Sequence, residues 1–144
     1  MVYRLTRRTH DLFQADSHQL TVDLLKAAED IYGPNAPEKL LYNVFKKKTA
    51  ALKAKVKGDT VAERAKWLAN FRDAEGHMAQ FIINNKDGGL QILECHSPIL
   101  NLLEQYPIVG RFEQDMFEAV LGTRVRRQVI RNSGLYECAF QFAL

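Results

Sequence analysis

Cysteine is scarce in this chain. Its 144 residues hold two, Cys95 and Cys138, far apart in sequence, as expected of reduced thiols. The short paired ligand spacing of a structural zinc site is missing. No run approaches the roughly 18 apolar residues that a membrane span needs. The opening Met1-Val2-Tyr3-Arg4-Leu5-Thr6 lacks the apolar stretch of a secretion signal. These absences lead to the expectation of a cytoplasmic protein with no membrane partner. A phosphate-binding loop, a dinucleotide fingerprint and an HExxH motif are also lacking. Asp87-Gly88-Gly89 belongs to a turn signal and is too short for a cofactor cradle, so no cofactor or metal is expected.

Hydrophobic residues make up 47% of the chain, too many for a disordered tail. The length suits one ordinary core and not two. The net charge of +3 is a weak signal. Basic residues gather at Arg4/Arg7/Arg8, at Lys46-Lys47-Lys48 with Lys53/Lys55/Lys57, and at Arg124/Arg126/Arg127/Arg131. The lysines suit the exposed side of a helix. A nucleic-acid surface usually carries a reading element richer in arginine, so direct nucleic-acid binding by this chain alone is not expected.

The pattern predicts helices first. Asp16 or Ser17 can cap a helix whose apolar face is Leu20, Leu24, Ala27, Ala28 and Ile31, stopped by Gly33-Pro34. Pro37 suits the first turn of a second helix with the stripe Leu41, Val44, Phe45, Leu52 and Val56. Thr60 and Glu63 read as a capping box before Val61, Ala65, Leu68 and Ala69. Beyond Gly76 the period changes to that of strands, Met78–Asn84 and Leu90–Cys95, around a turn. On the first strand Ala79, Phe81 and Ile83 share a face. On the second, Leu93 and Cys95 lie opposite Leu90, Ile92 and Glu94, and the mixed faces suggest a sheet partly covered on both sides. Ser97 reads as an N-cap with Pro98 opening a helix, and Pro107 separates it from the next, which ends at Gly122. A final hairpin joins Val125–Arg131 to a strand with Tyr136, Cys138, Phe140 and Phe142 on one face.

Chemistry is thinly marked. Cys95 and His96 are adjacent, and neighbours on a strand point to opposite faces. His77 is another possible base, with nothing in the pattern to set it beside a thiol. Glu94, Glu104, Glu113 and Glu118 read as scattered carboxylates, solvent-facing or locally paired. Cys138 on an aromatic face reads as a small buried apolar group. Trp67 reads as a packing or interface residue.

Val2-Tyr3-Arg4-Leu5-Thr6 followed by Leu12-Phe13 resembles the segment after the winged helix in regulators related to the iron–sulfur-cluster-responsive repressor of cluster assembly. The stretch from Cys95-His96-Ser97-Pro98-Ile99 to Glu137-Cys138-Ala139-Phe140-Gln141-Phe142 resembles their effector domain, and also vinyl-reductase-like sensing domains. In that likeness the DNA-reading winged helix would precede Met1, and residues 1–14 are its wing remnant or a linker. Ser97-Pro98-Ile99 is similar to the family's Cys-Pro-hydrophobic motif. The resemblance puts the cluster-ligand positions at Ser97, Gly110, near Ile130 and at Cys138, so three of the four lack a thiol. Cys95 could stand in for the first after a local shift, yet two thiols do not make a four-cysteine site.

The expected architecture is α+β, with N-terminal helices followed by an antiparallel sheet interleaved with two helices. One effector or sensor-like domain spans 15–144, helical over 15–75 and sheet-containing over 76–144. The expected role is a transcriptional-regulator-like effector or dimerisation domain that senses a small apolar ligand. Pocket candidates are Phe81, Ile83, Leu93, Cys95, Tyr106, Phe112, Met116, Cys138 and Phe140. The expected partner is a second copy or a winged-helix regulator that the chain modulates. The different-class alternative is a thiol-dependent enzyme using Cys95 or Cys138.

Overall fold

Helix stops and caps divide the chain. The computed structural model describes residues 7–84, 89–132 and 134–143, so Val2–Thr6 and the centre of the first hairpin turn lie outside them. The elements are α1 (Arg7–Tyr32), α2 (Ala36–Lys55), α3 (Val61–Ala74), β1 (Ala79–Ile83), β2 (Leu90–Glu94), α4 (Leu100–Gln105), α5 (Ile108–Leu121), β3 (Val125–Asn132) and β4 (Leu135–Phe142). Pro37 sits in the first turn of α2, where its missing N–H costs nothing. Thr60 Oγ1 accepts the Glu63 N–H at 3.1 Å, while Glu63 Oε2 reaches back to the Asp59 N–H at 2.8 Å. The capping box is thus present with its return bond one residue early. Gly122 ends α5 at φ 76, a left-handed conformation open to a residue without Cβ.

The four strands form one antiparallel sheet in the order β1-β2-β4-β3. Its register sets side chains in rows. Ala79, Glu94, Cys138 and Val129 form one row. Phe81, Ile92, Phe140 and Arg127 form the next, and Ile83, Leu90, Phe142 and Val125 the third. Helices α3 and α5 pack on this face and on each other; α2 packs on α5, and α1 on α2 and α4. Phe117 of α5 stacks on Phe140 with ring centroids 3.7 Å apart. The α+β expectation, helices first and two more between the hairpins, is what the chain forms. The other face is mostly open among the described residues: Gln80, Arg126 and Gln128 are exposed and Leu93 is half-buried, while Ala139 at its centre is buried.

Several local expectations shift. Helix α1 runs on through Asp16 and Ser17 instead of starting at a cap there, so the expected boundary at 14/15 falls inside a helix. Its core face is Val22, Leu25 and Ala28, whereas Leu20, Leu24 and Ile31 are 62%, 63% and 71% exposed. Two apolar stripes lie roughly 130° apart on this helix, and spacing alone favours the one that packing leaves outside. Val44 of α2 is likewise exposed. Ser97 does not cap α4; Ile99 holds that position, and the buried Ser97 hydroxyl has no hydrogen-bond partner among the described residues.

The Thr60 cap yields a direct test. Thr60→Ala removes the acceptor for the Glu63 N–H and is expected to lower unfolding free energy by about 1 kcal/mol in denaturant titration, with unchanged helix content by circular dichroism.

Candidate functional site

Three charged side chains stand where the periodicity of their elements demands core residues. On α3, Ala65, Leu68, Ala69 and Arg72 fall on one face, and Arg72 is 4% exposed. On β2 the inward residues are Leu90, Ile92 and Glu94, with Glu94 2% exposed. On α5, Val109, Glu113, Met116, Phe117 and Val120 face inward, and Glu113 is 2% exposed. The three meet. Arg72 donates from Nε to Glu94 Oε2 at 2.6 Å and from Nη2 to Glu94 Oε1 at 2.8 Å. Nη2 also donates to Glu113 Oε2 at 2.6 Å. This planar fork suits guanidinium and not ammonium.

Further charged and aromatic side chains surround the fork. Arg127 of β3 brings Nη2 to 3.6 Å from Glu113 Oε1 and 3.4 Å from Tyr136 Oη. Arg72 lies over the Phe117 ring at 5.1 Å and Arg127 over Phe140 at 6.0 Å, so both cations rest on the stacked aromatic pair. His77, just past α3, donates its backbone N–H to the Arg72 carbonyl at 3.1 Å. Its ring is 5% exposed, with Nδ1 3.3 Å from Glu94 Oε1 but in no hydrogen bond. Two arginines face two glutamates, so the charges balance when His77 is neutral.

Burial opposes the ionisation of Glu94, yet Arg72 and His77 hold its carboxyl below the usual carboxylate range. Burial likewise opposes charge on Arg72, and the two glutamates outweigh it, raising its pKa. Burial pushes the Cys138 thiol up to about 11, against the opposing pull of Arg127.

Ligand atoms of His77, Glu94 and Glu113 lie within 4.8 Å of one another. Both Glu94 oxygens and one of Glu113 already accept from Arg72. A divalent cation there would have to displace a guanidinium, so the arrangement works as an ionic tie between α3, β2 and α5.

Arg72 and His77 also form part of the wall of a cavity of about 270 Å³ between α2, the end of α3 and the Pro98–Ile99 segment. Phe45 and Leu52 of α2, Phe71, Ile99 and Met116 supply its apolar lining, and Lys48, Lys55 and Glu75 its charged side. Its size lies near the lower end of the ~300–1,000 Å³ of small-molecule sites.

Of the pocket residues expected from sequence, Met116 lines this cavity. Cys138 and Phe140 are core beneath α5. Phe81 stacks on Phe142 at 6.4 Å, and Ile83 is exposed at the end of β1. Leu93 is on the opposite sheet face, and Cys95, just past β2, is exposed. Tyr106 is half-buried at the end of α4. Phe112 packs on Tyr42 and Phe45, centroids 5.8 and 6.0 Å away. Strand alternation names the inward faces but not the depth beneath them, and the cavity opens between helices.

The four positions singled out by resemblance are also spread. A Cβ at Gly110 would sit 2.7 Å from Arg127 Nη1, so the guanidinium takes up that space. Ile130 pairs with Glu137 on the face opposite Cys138. The sequence reading passed over Arg72 and treated Glu94 and Glu113 as scattered carboxylates. The available signal was a charge in core phase on each of three elements.

Three expectations can be measured. The depressed Glu94 pKa contributes stability above the ordinary carboxylate value of 4.5, and that contribution is lost as pH falls through the folded value. Glu94→Gln should therefore flatten the fall in stability below about pH 4.5, read by denaturant unfolding across pH. Arg72→Met strands two buried carboxylates and should cost about 3–5 kcal/mol at neutral pH. Thiol labelling at pH 7.5 should modify the exposed Cys95 quickly and the buried Cys138 only on unfolding.

No protein-family model, no curated protein and no solved structure matches the chain.

Proposed function

We propose that this chain is a ligand-responsive effector domain of the transcriptional-regulator type, taking a small molecule as its input and self-association as its output. The observation that carries the reading is the cavity bounded by α2 and Pro98–Ile99, with the buried Arg72–Glu94–Glu113 tie at its wall. A preformed apolar cavity with a few convergent polar groups is the usual form of a small-molecule site. The resemblance to repressor effector and vinyl-reductase-like sensing domains points the same way, with three of four cluster-ligand positions lacking a thiol.

Position gives the cavity a route outward. Helix α1 packs on α2 and on α4, and α4 follows directly from Pro98–Ile99. A ligand held between α2 and that segment bears on both supports of α1. The exposed stripe Leu20, Leu24, Ala27 and Ile31 has steps of four, three and four residues, the spacing of a coiled-coil seam. An identical seam on a second copy is its natural complement, as in a two-fold dimer. A winged-helix regulator is the other partner that could cover it.

The reading is tested by two measurements on the purified chain. Screening small amphipathic compounds by thermal shift should find stabilising ligands, and Ile99→Trp, which fills the cavity, should abolish their effect. Sedimentation equilibrium should show a dimer that Leu24→Glu with Ile31→Glu converts to a folded monomer. A monomer at high concentration would remove the association half, and ligand effects untouched by Ile99→Trp would remove the cavity half.

A further inference from the structure

We infer that the cavity receives a small amphipathic acid, its apolar body against Phe45, Leu52 and Met116 and its anionic group toward Lys48 and Lys55. This assignment rests on the cavity being a ligand site. Its support is the distribution of charge. Arg72 is neutralised by Glu94 and Glu113, which leaves Lys48 and Lys55 at the cavity against a single carboxylate, Glu75. A ligand therefore meets an excess of positive charge on one side and apolar surface on the other. The Lys48 ammonium is placed 5.7 Å above the Phe45 ring, beside that apolar wall.

His77 adds a polar ring to the same wall: it lines the cavity at 5% exposure and holds Nδ1 3.3 Å from Glu94 Oε1. A neutral or cationic ligand would gain nothing from the lysines.

The probes are octanoate, octanamide and octylamine, titrated into the full chain by calorimetry at pH 7, where octanoate is ionised. Octanoate should bind more tightly than either analogue, by roughly tenfold. Lys48→Gln with Lys55→Gln lies on an exposed helix face and should weaken octanoate by roughly three- to tenfold while leaving octanamide unchanged. Equal affinity for octanamide or octylamine, lost in Ile99→Trp, would overturn the acid assignment and leave the cavity as a ligand site. No binding of any of the three would overturn both.

Discussion

The fork from Arg72 to Glu94 and Glu113 is the constraint on which the rest of the structure depends. It joins α3, β2 and α5, three elements from distant parts of the chain, through bonds of 2.6 to 2.8 Å in a region closed to water. Such a tie adds little net stability over apolar residues of the same volume, because removing the charges from water offsets their attraction. Its consequence is placement. A planar guanidinium can donate to two carboxylates in few geometries, so α3 cannot slide along the sheet without stranding a buried charge. Phe117 and Phe140, stacked beneath the two arginines, extend the same restriction into the apolar core.

The cavity is a by-product of this arrangement. Arg72 turns its donors toward Glu94 and Glu113, and its outer side becomes part of a wall shared with His77 and Met116. Helix α2 closes the other side with Phe45 and Leu52, while Lys48 and Lys55 stand at its charged edge. The cavity thus lies between α2 and the approach to α4, the two elements on which α1 packs.

Much of the fold was legible from the residues. Gly33, Pro37, Thr60, Pro107 and Gly122 act locally, so helix limits near them can be read without knowledge of the rest. The β3–β4 hairpin was equally clear, since alternation at Tyr136, Cys138, Phe140 and Phe142 admits one inward face. Helix α1 was not, because two apolar stripes compete there and only contact with α2 and α4 selects Val22, Leu25 and Ala28. The site was half legible. Arg72, Glu94 and Glu113 each carry a charge in core phase, a local signal that something must neutralise them. That they neutralise one another is a tertiary fact.

The sequence by itself determined the α+β order, most helix limits, the inward strand faces and the scarcity of thiols, because propensity, capping and alternation act over a few residues. Tertiary structure decided which α1 stripe is buried, that Cys138 is core while Cys95 is exposed, and that a charged triad and a cavity lie between helices far apart in the chain. The reason is range. Periodicity states which way a side chain points along its own element, while burial, hydrogen bonding and charge balance depend on what stands opposite.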